Sequence, residues 1–122
     1  MKHNSNYKYD LKFGKKGENL LAQILSLKGD TIEIKTDKDA IQGKGTGNVF
    51  VEYQSRNKLS GISKTEAKWY AFVISNENII LIETIKLKDI CRKYINTSRD
   101  VKGGDENTSN GILLPLSELI KL

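Results

Sequence analysis

Two short segments alternate apolar and polar side chains, a pattern that fits an extended strand, in which successive side chains point to opposite faces. The first covers residues 31–37. Ile32 and Ile34 share one face of this predicted strand, and Glu33 and Lys35 share the other. A carboxylate and an ammonium group held two residues apart suit phosphodiester hydrolysis, because one can hold a divalent metal and the other can lie beside the attacking water. The same alternation also describes an ordinary solvated strand face.

The second segment, residues 48–55, places three side chains on one face, namely Val49, Val51 and Tyr53. If both segments lie in one sheet with their aliphatic faces on the core, the opposite face gathers five polar side chains: Glu33, Lys35, Asp37, Glu52 and Gln54. Carboxylate and amide oxygens beside an amine are suited to a Mg²⁺ site. The alternative is an exposed face of complementary charges.

Length and charge indicate one domain with an anionic partner. The chain has 122 residues, expected to form a single domain over 1–122, and a net charge of +5. A surplus of lysine for solubility explains the charge equally well. One cysteine, Cys91, argues against an intrachain disulfide or a cysteine-rich zinc site, and one histidine, His3, argues against a Ser-His-Asp triad. Residues 1–8 are expected to be flexible, and no segment is expected to enter a membrane.

The remaining segments predict helices and strands in mixed order. Helical periodicity covers residues 15–27 and 86–95, with Cys91 at an apolar position of the latter, and Ser63–Glu66 resembles a capping box that opens a short helix. Apolar runs predict strands over 69–74 and 79–83, with Trp69 and Tyr70 in the core. Residues 96–110 are expected to form a polar loop, and residues 112–114 an edge strand ending at Pro115. The expected fold class is α/β or α+β, a mixed central sheet flanked by helices.

Several motifs occur in an order that extends over nearly the whole chain. They are residues 13–18 (FGKKGE), 32–37 (IEIKTD) and 46–53 (TGNVFVEY), then Ser60-Gly61-Ile62 and Gly103-Gly104-Asp105. This order resembles the PD-(D/E)XK nuclease superfamily, in particular its small phage-encoded nucleases and Holliday-junction-resolvase-like members. The resemblance implies a restriction-endonuclease-like αβββαβ core and hydrolysis of phosphodiester bonds in DNA that depends on Mg²⁺ or Mn²⁺.

The resemblance also implies roles for individual residues. Glu33 and Glu52 are expected to bind the metal, Lys35 to orient the attacking water, and Glu18 to be an additional acidic residue on the leading helix. The expected catalytic set is therefore Glu18, Glu33, Lys35 and Glu52. For Glu18 the alternative is a carboxylate that stabilises a helix N-terminus.

The chain departs from the family because no separate aspartate precedes Glu33 on a neighbouring strand; Asp30 lies only three residues upstream. Two assignments stay open. Glu52 supplies the second carboxylate from the adjacent strand, or Glu33 takes the place of the aspartate and Glu52–Gln54 is an E-x-Q variant.

Basic residues near these acidic positions are candidates for contacts with DNA phosphates, or are solvated surface charges. They are Lys15, Lys16, Arg56, Lys58 and Lys64. A nuclease selective for branched DNA is expected to be a homodimer, so that two strands are cut symmetrically. Two other hypotheses stay open: a catalytically inactive nucleic-acid-binding module on the same fold, and an unrelated structural or regulatory protein. The expected location is the cytoplasm, that of the host if the chain is viral.

Overall fold

Residues 31–41 and 45–120, together with Asn19 and Ser26, are the part of the chain that the computed structural model describes. The elements in this part are β1 (Ile32–Thr36), β2 (Asn48–Ser55), β3 (Lys58–Leu59), β4 (Trp69–Val73), β5 (Ile79–Glu83), α1 (Thr84–Arg92), β6 (Asp100–Gly103), β7 (Ser109–Pro115) and α2 (Leu116–Leu119). The expected mixture of helices and strands is confirmed. Two predictions concern residues outside the described part. They are the helix over residues 15–27, of which only Asn19 and Ser26 are described, and the flexibility of residues 1–8.

In the described part of the chain, the first sheet has three strands in the order β1-β4-β5, with β1 parallel and β5 antiparallel to β4. The central strand β4 combines aromatic and β-branched residues, and four of its five side chains are buried. This confirms the strand predicted over residues 69–74 and the core positions predicted for Trp69 and Tyr70. The strand predicted over residues 79–83 is confirmed as β5.

The polar face of β1 is on the side of the main core cluster, to which β2 also contributes, whereas its isoleucine face lies along the other buried face of β4. Glu33 pairs with Tyr70 and Lys35 with Phe72, so each polar side chain shares a face with a core aromatic. Ile34 is instead 61% exposed. The predicted orientation of β1 is therefore wrong. Alternation distinguishes the two faces of a strand without saying which one is inward. Among the described strands β1 is the outermost of its sheet, where polar side chains at the rim of the core still reach water.

The second sheet has four antiparallel strands in the order β3-β2-β7-β6. Val49 and Val51 of β2 lie opposite Leu114 and Ile112 of β7, and all four are buried, as expected for the two valines. Because β7 lies between β2 and β6, the edge position predicted for residues 112–114 is wrong. Pro115 does end the strand.

Part of the segment predicted to be a polar loop is a strand. Residues 96–110 include β6, a 3-10 turn at Asp105–Asn107 and the start of β7, so the loop prediction is wrong over these elements. The side chains of β6 are half-buried or exposed. An outer strand of this kind lacks the apolar pattern by which strands are detected.

β1 and β2 belong to different sheets, so the expectation that they are neighbours in one central sheet is wrong. Parallel strands need a crossover connection, and here the crossover from β1 to β4 carries β2 and β3 into the second sheet. Asp37, directly after β1, joins the two sheets. Its amide donates to the Val73 carbonyl at 2.9 Å, and its Oδ2 accepts a hydrogen bond from the Phe50 amide at 3.0 Å.

Helix α1 contributes Leu87 and Cys91 to the core. It confirms the helix predicted over residues 86–95, although it runs from Thr84 to Arg92. Cys91 is buried as predicted, and burial raises the pKa of its thiol to about 12. Within the described ranges, no helix has both the length and the apolar character needed to cross a membrane.

The short helix predicted from Ser63–Glu66 is wrong. The chain forms a 3-10 turn at Gly61–Ser63 and then continues without a helix to β4. Thr65 Oγ1 accepts a hydrogen bond from the Ala67 amide at 3.1 Å. Such a local bond between side chain and backbone competes with helix formation.

The ring of Phe50 lies over two glycines of the second sheet. A Cβ atom on Gly103 would come 2.9 Å from Phe50 Cζ, and one on Gly111 would come 2.5 Å from it. We expect Gly103→Ala to lower the free energy of unfolding by about 1–3 kcal/mol, because the ring must move. Chemical denaturation measures this loss. The loss caused by Gly103→Ala should be smaller in a protein that already carries Phe50→Leu. An equal loss with and without Phe50→Leu would contradict a contact between Gly103 and the Phe50 ring.

Tyr53 connects β2 to β6. Its hydroxyl donates to Asp100 Oδ1 at 2.6 Å, and this bond, followed by burial and by the charge of Asp100, raises the pKa of Tyr53 to about 12. The unfolded chain loses this proton near pH 10 whereas the folded protein keeps it, so this contribution to stability is complete below about pH 10 and is lost as the pH rises to about 12. Denaturation between these pH values should show a steeper loss for the native protein than for Tyr53→Phe. Equal slopes would refute the assignment.

Candidate active site

A small cavity of about 150 Å³ lies where the first sheet faces β2. It has room for several water molecules. The residues that line it come from β1, β2, β4 and the turn after β3, and they are Lys35, Phe50, Val51, Glu52, Gly61 and Tyr70. A cation and a carboxylate that are 17 positions apart in sequence thus meet at one cavity.

Strand β1 supplies Lys35 to the cavity and places Glu33 on the same face. Both positions follow from the parallel register with β4, in which Glu33 lies beside Tyr70. Lys35 is exposed and Glu33 is half-buried. The amine therefore reaches water, while the carboxylate of Glu33 lies nearer the buried aromatic row.

Glu52 is held in position by the turn after β3. Its Oε2 accepts a hydrogen bond from Ser60 Oγ at 2.8 Å. Gly61 follows with a φ of 52°, and a Cβ atom there would lie only 2.2 Å from the Glu52 carbonyl oxygen, so the turn requires glycine. A carboxylate offers about four acceptor positions. The bond from Ser60 therefore orients Glu52 and leaves it capacity for a further ligand.

Tyr70 is a residue of the cavity lining that the sequence assigned only to the core. The residue is 2% exposed, and its Oη is buried without a hydrogen-bond partner. Burial raises the pKa of Tyr70, and the nearby Glu33, Cys91 and Glu52 raise it further. The phenol is therefore neutral at physiological pH. The pairing of Glu33 with Tyr70 depends on sheet topology, which the alternation within each strand does not reveal.

Three of the four residues predicted to be catalytic belong to this region. Lys35 and Glu52 line the cavity, and Glu33 is paired beside Tyr70. Lys35 and Glu52 meet across two sheets and not on one sheet face as expected, and Glu33 is not among the residues that line the cavity. In the described part of the chain, no three His, Cys, Asp or Glu side chains are grouped closely enough to form a metal site by themselves.

Asp37 and Gln54, which were expected on the same polar face, have other partners. Asp37 Oδ2 accepts from the Phe50 amide at 3.0 Å. Gln54 Oε1 accepts from Asn110 Nδ2 at 2.9 Å, and a register shift in the pairing with β7 separates Gln54 from Glu52. The expected grouping is wrong for these two side chains.

The predicted DNA-binding residues divide into two groups. Arg56 belongs to the two-residue turn between β2 and β3, Lys58 begins β3, and Lys64 follows the 3-10 turn; all three are exposed. Arg56 and Asn57 have φ values of 50° and 64°, as a tight hairpin turn requires. Lys15 and Lys16 form the second group and lie outside the described residues, as do Glu18 and Asp30.

Larger concavities occur elsewhere on the described surface. One of about 370 Å³ lies between β3 and α1 and is lined by Tyr53, Leu59 and Cys91 among others. A second, of about 510 Å³, is lined by Trp69 and Thr84 among others. Neither contains a residue predicted to bind metal or DNA. We consider the small cavity the better candidate because it combines a cation and a carboxylate that were both predicted to be catalytic.

Comparisons of this chain with protein-family models, with curated proteins and with solved structures found no match. What the protein does is therefore inferred from the chemistry of the cavity and its neighbours.

Proposed function

We propose that this protein is a metal-dependent nuclease that hydrolyses phosphodiester bonds in DNA. The observation that carries the proposal is that Lys35 and Glu52 line one cavity with Tyr70. Glu33 and Glu52 both influence the phenol of Tyr70 electrostatically. Two carboxylates, an amine and a hydroxyl donor are the groups that this hydrolysis needs.

The residues present fit a Mg²⁺ or Mn²⁺ ion. Mg²⁺ binds through one or two carboxylates and keeps several of its water molecules, so Glu33 and Glu52 suffice as protein ligands. The free acceptor positions of the Glu52 carboxylate support this fit, because Ser60 occupies only one of them. When bound, such an ion would polarise the phosphate and make a coordinated water more acidic.

The residues in and around the cavity then have distinct roles. The ammonium group of Lys35 attracts the phosphate and stabilises the negative charge that develops on its oxygens. Ser60 holds the carboxylate of Glu52 in place, since its hydroxyl donates to Oε2 at 2.8 Å. Arg56, Lys58 and Lys64 contact backbone phosphates and position the DNA without reading its sequence.

The finer features of the proposal follow the family resemblance. They include a restriction-endonuclease-like core, assistance from Glu18, DNA contacts by Lys15 and Lys16, selectivity for branched DNA and a homodimer. Of the two carboxylate assignments, the one in which Glu52 supplies the second ligand is better supported, because Gln54 is hydrogen-bonded to Asn110.

A catalytically inactive nucleic-acid-binding module is the second candidate. It is favoured by the absence of any group of three potential metal-binding side chains among the residues described. In that case the missing aspartate reflects lost catalysis, and the basic side chains keep only a binding role.

The cleavage assay uses labelled branched, duplex and single-stranded DNA with Mg²⁺ or Mn²⁺. We expect the native protein to cleave at least one of them, and Lys35→Ala to reduce the rate by about a hundredfold or more, because charge stabilisation is lost. Glu33→Gln and Glu52→Gln should each abolish most of the metal-dependent activity. The matched controls are Lys86→Ala and Glu77→Gln, at exposed positions away from the cavity.

Unchanged cleavage in Lys35→Ala and Glu33→Gln would refute the proposed site. Binding of DNA by the native protein without cleavage of any substrate would favour the inactive module. Absence of salt-dependent DNA binding would exclude both the nuclease and the inactive nucleic-acid-binding module.

The three exposed basic residues make a separate prediction. If each contacts one phosphate, the slope of log K against log salt concentration should become shallower by about one for each alanine substitution at Arg56, Lys58 or Lys64. Fluorescence anisotropy over a range of salt concentrations measures the slope. Lys86→Ala serves as the control, and a slope unchanged in the triple variant would show that these residues do not touch the DNA backbone.

A further inference from the structure

The cavity of about 370 Å³ between β3 and α1, here called the apolar cavity, has the composition of a ligand-binding site. Its volume falls within the range of small-molecule sites in proteins. Buried side chains from different elements line it, namely Ile62, Cys91 and Ile112. Burial raises the pKa of the Cys91 thiol to about 12, so this side chain is uncharged and adds to the apolar lining.

Large aliphatic side chains at the apolar cavity are open to solvent. Leu59 is 66% exposed and Ile95 is 40% exposed, and both line the cavity. Single exposed apolar side chains are ordinary, but several at one concave apolar surface indicate a place where another molecule binds. The cavity therefore suits the apolar part of a ligand.

Among the residues described, the charged side chains that line the apolar cavity are all basic, Lys88 and Arg92 of α1. Arg92 is paired with Asp89 at 2.6 Å, and both side chains are exposed. Lys88 is half-buried and has no hydrogen bond or ion pair within the described ranges, although Glu66 and Glu83 line the neighbouring concavity with it. The flexible side chain of Lys88 is therefore available to an anion at the mouth of the cavity.

The lining contributed by Ile62 and Ser63 is held in shape by the turn after β3. The Ser63 amide donates to the Ser60 carbonyl at 3.1 Å, and the Thr65 amide donates to the Gly61 carbonyl at 2.9 Å. A wall that is already formed needs little ordering when a ligand binds, so less of the binding energy is lost.

We propose that the apolar cavity is a second binding site and takes a small amphipathic carboxylate, with its apolar body against Leu59 and Ile95 and its anionic group beside Lys88. Charge complementarity favours this ligand, because the charged lining is basic while the rest is mainly apolar. Burying a strongly hydrated inorganic anion against apolar side chains would be unfavourable. The site is separate from the proposed nuclease site, because neither Lys35 nor Glu52 lines it.

The test is titration of the ¹⁵N-labelled native protein with decanoate, below the concentration at which decanoate self-associates, followed by NMR. We expect saturable chemical-shift changes centred on the backbone amides of Ile62, Cys91 and Ile112. Acetate lacks the apolar body, and decyltrimethylammonium carries the opposite charge. Each should bind at least about tenfold more weakly than decanoate.

Single substitutions test the two parts of the ligand separately. Lys88→Gln should weaken decanoate binding about tenfold, since an interaction with a charged group is lost. Leu59→Ser should weaken it about fivefold, because apolar contact is lost. The matched controls are Lys86→Gln and Ile79→Ser, at exposed positions outside the lining, and these should bind decanoate as the native protein does. Thermal midpoints without decanoate verify that all four variants are folded.

Several results would overturn this proposal. They are unchanged decanoate affinity in both Lys88→Gln and Leu59→Ser, equal affinity for acetate or decyltrimethylammonium, and shift changes away from the lining. A concentration-dependent dimer in sedimentation that Leu59→Ser abolishes would also overturn it, because a second copy of the chain would then cover the cavity. The cleavage assay and this titration concern different residues, so either proposal can fail while the other stands.

Discussion

The parallel pairing of β1 with β4 decides which side chains can meet at the cavity. It places Glu33 beside Tyr70 and Lys35 beside Phe72. A shift of one residue would turn both charged groups to the opposite face and bring Ile34 inward. The correct register is supported by burial of the aromatic side chains of β4 and by Asp37, which bonds to both sheets directly after β1.

The second carboxylate is positioned by a different mechanism. Glu52 depends on the turn after β3, where Ser60 donates to its side chain and Gly61 passes close to its backbone. The lysine and this glutamate are therefore supported by separate structures, a strand pairing and a tight turn. Rigid support of each group from its own element is what a preorganised site requires.

Local patterns predicted the parts of the fold that depend on local sequence. The apolar runs of β4 and β5, the helical periodicity around Cys91 and the alternating valines of β2 all indicated the correct element and burial. Features that depend on distant residues were missed or reversed. These are the division into two sheets, the inward face of β1, the outer strand β6 and the pairing of Glu33 with Tyr70.

In the candidate site, too, the sequence predicted what local patterns determine and missed what distant residues determine. Glu33, Lys35 and Glu52 were identifiable because each carries a charge at a polar position of an alternating strand. Asp37 and Gln54 share that local signal, yet their hydrogen bonds to Phe50 and Asn110 remove them from the group. Tyr70 was not identifiable as part of the site, because an aromatic residue in an apolar run is usually just core. Its place beside Lys35 and Glu52 in the cavity lining is visible only in three dimensions.

Among the strands that the structure describes, β1 is the outermost of its sheet, and this has a consequence for how the folded molecules behave toward one another. A strand at the edge of a sheet offers its backbone to other chains, and charged side chains on such a strand oppose this kind of association. β1 carries an exposed isoleucine, Ile34, between Glu33 and Lys35. If no further strand covers β1, the two charged residues oppose association of other chains with this edge. Substitution of apolar residues for Glu33 and Lys35 would therefore change the tendency of the protein to aggregate as well as the chemistry of the candidate site.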